Sequence, residues 1–368
     1  AENHGVTEVD PSEDKLCPYP VMLDVPSEEE KAISREWRSY INPSDIPMGI
    51  RGQFEEVLDR HQSIFAYGPN EVRFVKEDGK TAELELEMES DKPIWTKPFG
   101  LAGPILSKLE DKIDELLKAG LIEPVKTNWN SPVFMVPHNS AAKNEKPEDR
   151  KYRMIVDLRV VNSLVKFSNR YSYLVKGIEF AMERLRNKKY FTVLDMNKAY
   201  RSLKVTPRTQ EICAFIVPNS TKWPTQSFAF KSLIDGLNLG PGYYSYLINK
   251  ALSYESRKAT MIHIDDVCIA SETIEQHLKD IDNVLRDLNA SGFMIAAAKA
   301  QFFQTETRFL GHRISLNKIT IDEKRKALFR EVPVPKTKKE MMRFLGMANY
   351  MGSFCDSFIL RAGPLFDS

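Results

Sequence analysis

A tandem aspartate between two short apolar runs constrains the fold of this chain more than any other feature. Asp265 and Asp266 interrupt a mostly apolar segment at 261–269. A second apolar run, 191–194, ends directly in Asp195. A carboxylate that follows buried apolar residues is costly unless it is paired or binds a metal ion, and adjacent carboxylates repel each other unless a cation lies between them. The pattern therefore predicts a strand and a hairpin that bring three acids to one cation site.

The predicted site has hard oxygen ligands, which favour Mg²⁺, with Mn²⁺ as an alternative. Two such ions about 3.5–4 Å apart would hold the attacking and leaving oxygens of a phosphoryl transfer. Because neighbouring strand residues point to opposite faces, Asp265 is predicted to share a face with His263 and Asp266 to lie on the other face. We therefore predict that Asp265 is the main partner of Asp195 and that Asp266 has a supporting role. The alternative is that each acid is an ordinary turn or cap residue.

Hydrophobic spacing along the rest of the chain predicts a mixture of helices and strands. Helices are predicted at 50–66, from Pro104 to Gly120, at 240–251, from Thr273 to Leu288, at 322–331 and at 337–353. Strands are predicted at 82–88, 133–136, 153–156, 190–195, 212–217, 226–230 and 309–315, with a hairpin over 261–270. Strands and helices do not alternate strictly as βαβ units, so the predicted fold class is α+β.

Composition excludes several classes of protein. The four cysteines are widely spread without a Cys-x-x-Cys pair, which argues against a zinc ribbon or a disulfide scaffold. No apolar run is long enough to span a bilayer, and the first 30 residues contain no secretory signal. Residues 1–60 hold 14 Asp/Glu and six Lys/Arg, whereas the whole chain has a net charge of +1. An acidic leader on a basic body indicates a polyanion partner for the body; the alternative is a solvated charged surface.

Eight segments in a fixed order resemble one known family over about residues 45–368. The segments are 97–100, 119–124, 129–133, 152–162, 194–200, 263–266, 309–315 and 338–346. Together they resemble the reverse transcriptases of gypsy-type LTR retrotransposons, as a fragment of a Pol polyprotein. The resemblance implies a right-hand polymerase fold with fingers, a palm of antiparallel sheet backed by helices, and the start of a thumb or connection region.

The resemblance also implies a division of the chain and a set of functional residues. Residues 1–90 would be an acidic leader with a short helix and strand, 91–316 the fingers and palm, and 317–368 the basic helical start of the thumb or connection. The implied palm carboxylates and metal ligands are Asp195, Asp265 and Asp266, with Lys299 as the residue that protonates the departing pyrophosphate. The implied nucleotide-binding residues are Arg153, Lys146, Tyr200 and Gly236, with Lys143 and Lys151 as alternatives to Lys146. The implied primer-holding residues are His263, Phe309, Leu310 and Gly311.

The function implied by the resemblance is RNA-directed DNA polymerisation with two Mg²⁺ ions. The implied partners are an RNA or DNA template with a DNA primer, and deoxynucleoside triphosphates, with no membrane. Ribonuclease H, integrase and protease domains are expected elsewhere in a parent polyprotein. The implied location is intracellular, in a cytoplasmic virus-like particle.

Two departures from the family pattern keep other functions open. His263 stands where the family usually has Tyr, and the turn at 234–239 matches the family only in part. These changes motivate a catalytically inactive, reverse-transcriptase-like subunit that binds nucleic acid or a partner chain. Further alternatives are a nucleotidyltransferase that uses a DNA template or none, and a metal-free structural α+β protein.

Overall fold

The structure is a computed structural model, and it describes residues 36–42, 46–68, 71–101, 103–137, 150–166, 178–316, 318–352 and 357–366. Its helices are α1 (Arg51–Arg60), α2 (Pro104–Lys118), α3 (Arg159–Leu164), α4 (Ile178–Leu185), α5 (Pro207–Ile212), α6 (Leu239–Ala251), α7 (Tyr254–Ala259), α8 (Ile274–Ala290), α9 (Glu323–Arg330), α10 (Lys338–Met351) and α11 (Phe358–Phe366). Its strands are β1 (Phe65–Ala66), β2 (Lys76–Glu77), β3 (Lys80–Thr81), β4 (Glu83–Leu84), β5 (Ile122–Val125), β6 (Val133–Pro137), β7 (Tyr152–Val156), β8 (Tyr190–Asp195), β9 (Lys204–Val205), β10 (Phe215–Ile216), β11 (Ser227–Phe230), β12 (Thr260–His263), β13 (Asp266–Ser271), β14 (Ile295–Ala296), β15 (Gln301–Gln304), β16 (Glu306–Phe309), β17 (His312–Ser315) and β18 (Lys318–Ile321).

A four-stranded antiparallel sheet with the order β12-β13-β8-β15 forms the centre of the molecule. Its two middle strands are the apolar runs that precede or follow the predicted acids, and Leu194, Val267 and Ile269 are fully buried. Helices α6 and α8 contact this sheet. Strands that are apolar on both faces need helices packed against the sheet to exclude water. The apolar pattern therefore explains both the sheet and the helices that pack on it. The α+β class and the hairpin prediction are confirmed.

Helix α8 shows how local sequence signals set an element that supports the sheet. The Thr273 hydroxyl accepts a hydrogen bond from the Gln276 backbone N–H, as an N-cap does. Its apolar residues at helical spacing are fully buried; they are Ile281, Val284, Leu285 and Leu288. Gly292 follows the helix with φ +81°, in the left-handed region that favours glycine. The predicted helix is therefore confirmed, two residues longer than expected at its end.

A buried chain of polar side chains ties α8 to the two middle strands. Ser271 donates to the Asp280 carboxylate over 2.6 Å, and its oxygen lies 2.9 Å from Nδ1 of His277. On the other side of the ring, Nε2 lies 2.9 Å from the Thr192 hydroxyl, which accepts from the Phe303 N–H. These contacts assign the proton of the neutral imidazole to Nδ1. Burial lowers the pKa of His277 to about 3, so the ring stays neutral at physiological pH.

We expect His277 to make stability sensitive to acid. Between the folded pKa of about 3 and the ordinary value of 6.5, the unfolded chain binds more protons, so stability is lost as pH falls through this window.

A His277→Gln variant should be less stable at pH 7 by about 1–3 kcal/mol, because polar partners lose their hydrogen bonds. It should also show a shallower loss of stability from pH 6.5 to pH 3 in urea unfolding than the parent. A Ser271→Ala control should be destabilised but keep the parental slope, and an unchanged slope in His277→Gln would assign the acid sensitivity to another group.

Two strands that precede the central sheet in the chain pair with strands outside it. Strand β1 pairs in parallel with β14, and β4 pairs in parallel with β9. Alternate residues of the predicted strand at 82–88 are buried, but only Glu83–Leu84 form a strand, with an isolated bridge at Met88. The predicted helix at 50–66 is α1 followed by a short 3-10 turn at Gln62–Ile64.

A second group of strands lies around α2. Strands β6 and β7 form an antiparallel hairpin, and β10, β11 and β5 form a three-stranded sheet. The predicted strand at 212–217 is reduced to Phe215–Ile216, because Ile212 ends helix α5. The tip between β6 and β7, residues 138–149, lies outside the described residues, and Lys143 and Lys146 lie within that tip.

The prediction of one strand over 309–315 is wrong. Strands β16 and β17 form a hairpin, with Phe309 opposite His312 and a two-residue turn between them. Leu310 (φ +53°) and Gly311 (φ +74°) both lie in the left-handed region, as a type I′ turn requires. The apolar run concealed the turn because leucine rarely adopts this conformation. Helices α9 and α10 confirm the predicted basic helical segments, and no helix in the described ranges is long and apolar enough to cross a membrane.

Candidate active site

The three predicted acids lie at one end of the central sheet. Asp195 is the last residue of β8, Asp266 is the first residue of β13, and the two are directly opposite in the strand register. Asp265 occupies the turn between β12 and β13, and its carbonyl accepts a hydrogen bond from the Met196 N–H over 3.1 Å. The structure therefore brings together acids that are about 70 residues apart in the sequence.

The pairing corrects the prediction about strand faces. Asp265 is not on a strand, so alternation along a continuous strand does not apply to it. Asp266 lies directly across from Asp195, and residues in that relation point to the same face of a sheet. Asp266 is therefore, by its strand register, a direct partner of Asp195.

The turn that presents Asp265 has a strained backbone. Ile264 has φ +58°, and this left-handed conformation is unfavourable for a β-branched residue. Such strain persists where the surrounding structure fixes it, and here the paired strands on both sides do so. The tight turn places Asp265 between the ends of both strands.

The electrostatics of the site reflect three acids close together. Asp265 is exposed at the hairpin tip and Asp266 is half-buried. The protein around the tip still displaces enough water to raise the pKa of Asp265, with repulsion by Asp195 as a further cause. Burial, followed by repulsion from Asp265 and Asp195, raises the pKa of Asp266 to about 6. The three acids together therefore carry more negative charge than the protein around them balances.

Lys299 supplies one positive charge to this cluster. Its Nζ lies 3.0 Å from Oδ1 and 3.2 Å from Oδ2 of Asp195. It ends the short 3-10 turn Ala297–Lys299, next to the edge strand β15. Its charge lowers the pKa of both Asp265 and Asp266 and so offsets part of the repulsion. Lys299 therefore lies beside Asp195, and its role toward pyrophosphate stays a prediction.

The residues present fit a divalent metal ion by donor chemistry and by charge. Carboxylate oxygens are the ligands that Mg²⁺ and Mn²⁺ prefer, and the raised pKa values mark a site that a cation would stabilise. Within the described residues, no group of three or more His, Cys, Asp and Glu side chains converges closely enough to hold a metal ion. Binding would therefore require the three acid side chains to reorient.

Tyr200 lies near the acid cluster, and Gly236 lies in the turn before α6. Tyr200 is half-buried, its ring meets Tyr244 edge to face at 6.4 Å, and a Cβ atom on Gly240 would lie 3.8 Å from its Cε1 atom. Gly236 has φ +102°, which permits the tight turn before α6. Asp265 contributes to the raised pKa of Tyr200, so the ring lies within electrostatic reach of the acids. Arg153 lies on β7, opposite Val136.

Two residues beside Gly236 were not among the predicted site residues. The Asn162 side-chain N–H donates to the Gly236 carbonyl over 2.7 Å, and its oxygen accepts from the Asn238 N–H over 2.9 Å, which fixes the turn from both sides. Asp235 is half-buried, and burial raises its pKa to about 7, against the charges of Arg201 and Lys198. Asp235 could have been noticed in the sequence because it departs from the family pattern. Asn162 gave no signal of its role in the sequence other than its place in the segment 152–162.

The predicted primer-holding residues lie on two elements. His263 is directly opposite Asp266 at the end of β12; burial lowers its pKa, and its buried Nδ1 has no hydrogen-bond partner within the residues described. Phe309 is buried in a cluster with Phe191 and Met261, and Leu310 packs against that cluster. The turn at Gly311 is fixed by its carbonyl, which accepts from the Asp322 N–H over 3.2 Å.

Comparisons with known proteins agree with this arrangement. A family model described as "Reverse transcriptase (RNA-dependent DNA polymerase)" matches residues 143–314. The retrovirus-related Pol polyprotein from transposon opus of Drosophila melanogaster is 29% identical over 284 residues, which cover 77% of this chain and 27% of that protein. The Pol polyprotein from transposon gypsy of the same organism is 23% identical over 327 residues, 89% of this chain and 30% of that protein. The chain thus spans less than a third of the length of these relatives.

Solved structures share the fold. A foamy viral protease-reverse transcriptase in complex with an RNA/DNA hybrid matches with a TM-score of 0.68 and 21% identity, covering 95% of this chain and 44% of that chain. The same viral protein in complex with dsDNA matches with a TM-score of 0.69 and 21% identity, covering 95% of this chain and 67% of that chain. The expected right-hand polymerase fold is therefore confirmed. Residues 143–314 match the reverse transcriptase family, and the chain is similar to the Pol polyproteins of retrotransposons.

Proposed function

We propose that this chain is an RNA-directed DNA polymerase module that adds deoxynucleotides to a primer 3′-hydroxyl. The observation that carries the proposal is the register that sets Asp195 directly opposite Asp266, with Asp265 in the adjoining turn. Three acids held by one rigid sheet end are unfavourable for folding alone, since two of them have raised pKa values. A functional requirement for their negative charge explains why they are together.

The family implies a divalent metal ion, and we propose two Mg²⁺ ions, replaceable by Mn²⁺, held by Asp195, Asp265 and Asp266. When bound, the ions would neutralise charge on the phosphoryl oxygens and lower the pKa of the primer hydroxyl. The primer hydroxyl attacks the α-phosphorus of the nucleotide, and pyrophosphate leaves. The protein contributes mainly by positioning the reactants, because phosphoryl transfer needs little covalent chemistry from side chains. Lys299 is proposed to give a proton to the leaving pyrophosphate.

The other residues around the acids are proposed to bind the substrates. Arg153 would bind the triphosphate through charge-assisted hydrogen bonds, and Tyr200 and Gly236 would border the sugar. Lys146 is also proposed to bind the triphosphate, and this prediction comes from the sequence alone. The end of β12 and the β16–β17 turn would hold the primer end, through His263, Phe309, Leu310 and Gly311.

The wider organisation is proposed from the resemblance and the relatives. Residues 1–90 would be the leader, 91–316 the fingers and palm, and 317–368 the start of the thumb or connection. The basic helices of the last part would contact template–primer phosphates without reading sequence. We propose an RNA or DNA template with a DNA primer, and deoxynucleoside triphosphates, as partners. Ribonuclease H, integrase and protease would be other parts of a parent polyprotein in an intracellular particle.

We expect Tyr200 to exclude ribonucleotides. A Tyr200→Val variant should incorporate ribonucleotides at least about tenfold better relative to deoxynucleotides, because a smaller side chain leaves room for a 2′-hydroxyl. Tyr200→Phe, which keeps the ring, should retain the parental preference. The ratio of kcat/KM for the two nucleotide classes measures the effect. Equal ratios in the parent and in Tyr200→Val would remove Tyr200 from the sugar site.

The function is tested by primer extension with the whole chain and Mg²⁺. The assay compares an RNA template, a DNA template of the same sequence and no template, with a binding measurement on the same duplexes. We expect extension that depends on a template and proceeds on RNA. Extension without a template would identify a different nucleotidyltransferase. Binding of the duplex without extension in Mg²⁺ or Mn²⁺ would identify a binding subunit.

A further inference from the structure

The ion pair between Lys299 and Asp195 has a consequence for how the acid cluster takes up metal. We propose that the Lys299 ammonium is a built-in counter-ion that competes with a divalent ion for the Asp195 carboxylate. This inference rests on the proposed function, because it concerns the metal ions of the same site. Lys299 would thus regulate metal binding in addition to its proposed role toward pyrophosphate.

The geometry sets the ammonium and a metal ion in competition at Asp195. Nζ lies within 3.0 and 3.2 Å of the two oxygens, so one ammonium engages both oxygens of the carboxylate. A metal ion at bonding distance from either oxygen would lie next to the ammonium, and like charges at such a distance repel strongly. The ammonium and a metal ion would therefore compete for Asp195.

Lys299 is placed to leave easily. Its side chain is 66% exposed, whereas the Asp195 side chain is 30% exposed. An exposed ion pair contributes little to folding stability, so the swing of the lysine into solvent has a small cost. The turn that bears it, Ala297–Lys299, lies beside β15 at the sheet edge, which leaves the strands that hold the acids undisturbed.

The remaining acids explain why a counter-ion is needed when no metal is bound. Asp265 and Asp266 repel each other and Asp195, and Lys299 is the positive side chain that offsets this repulsion for both. The other titratable neighbour, His263, lies opposite Asp266 in the strand register, and burial lowers its pKa. A divalent ion would replace one positive charge by two, and the released ammonium would be available to a leaving group.

The test is Mn²⁺ binding to the whole chain without nucleic acid, measured by electron paramagnetic resonance at pH 8. Lys299→Met should bind Mn²⁺ about tenfold more tightly than the parent, because a competing charge is removed. Lys299→Arg, which keeps the charge, should bind no more tightly than the parent. Mn²⁺ should also raise the melting temperature of Lys299→Met more than that of the parent, because tighter binding gives more stabilisation.

A matched control lies at the other end of the same strands. Lys188, just before β8, pairs with Glu272, just after β13, over 2.7 Å. Lys188→Met removes an ion pair of the same type and should leave Mn²⁺ affinity unchanged. Equal or weaker Mn²⁺ binding by Lys299→Met would overturn the competition while leaving the proposed function intact. Parental binding that Asp265→Asn does not weaken would overturn both the competition and the proposed metal site.

Discussion

Asp265→Asn is expected to reduce primer extension on an RNA template by about 1,000-fold or more, since it removes a charge that holds the metal ions. The substitution keeps the size and shape of the side chain. The pKa of Asp265 is raised in the folded chain, so its charged form is disfavoured there. The variant should therefore fold as well as the parent or better while losing activity. Single-turnover extension and urea unfolding on the same preparation measure the two effects.

The control for this prediction is Asp91→Asn. Asp91 is 95% exposed in its side chain and pairs with Arg208, so its loss should leave both extension and stability almost unchanged. A parental extension rate in Asp265→Asn would show that this carboxylate does not take part in catalysis. A loss of activity together with a loss of folding would assign Asp265 a structural role instead.

Gly292→Ala is expected to have the largest effect on stability among the substitutions considered. A Cβ atom at this position would lie 2.7 Å from the Phe74 carbonyl oxygen, and φ is +81°. The backbone conformation costs about 1–2 kcal/mol for alanine, and the collision with a backbone atom adds about 1–3 kcal/mol. Together these reach about 2–5 kcal/mol in the free energy of unfolding, measured in guanidinium chloride.

The structure offers a matched control at the end of α2. Gly120 has φ +66° and no atom within 4 Å of the position of an added Cβ. Gly120→Ala should therefore show only the conformational cost, about 1–2 kcal/mol. Similar losses in the two variants would mean that the contact with Phe74 relaxes without cost. The difference between the two variants measures the cost of the close approach between residues 73–76 and the chain after α8. In that region the Lys76 N–H donates to the Ser291 carbonyl over 2.8 Å.

The elements that follow strong local rules could be predicted from the sequence. Pro104 and Gly120 bound α2, and Thr273 caps α8, because these residues have specific conformational or hydrogen-bonding roles at helix ends. The apolar strands with their terminal acids could be predicted from the hydrophobic pattern of the chain. The grouping of Asp195 with Asp265 and Asp266 could be predicted from the cost of burying acids, but the register that sets Asp195 opposite Asp266 could not.

The features that the sequence did not reveal depend on tertiary context. The β16–β17 turn was missed because Leu310 adopts a conformation that its residue type rarely takes. The role of Asn162 depends on a turn 74 residues later in the chain, which no local pattern encodes. The position of Asp265 in a turn, and not on a strand face, depends on the unusual φ of Ile264. Such long-range or strained features require coordinates.

The most direct test of the central claim, that the three acids form one metal centre, is anomalous scattering from Mn²⁺. Crystals of the chain would contain a primer–template duplex, a primer that lacks its 3′-hydroxyl and the incoming deoxynucleotide. We expect two anomalous peaks about 3.5–4 Å apart at the end of β8, with oxygens of Asp195 and Asp265 bonded to them. An ordered duplex and nucleotide with no peak beside Asp195 would contradict the account.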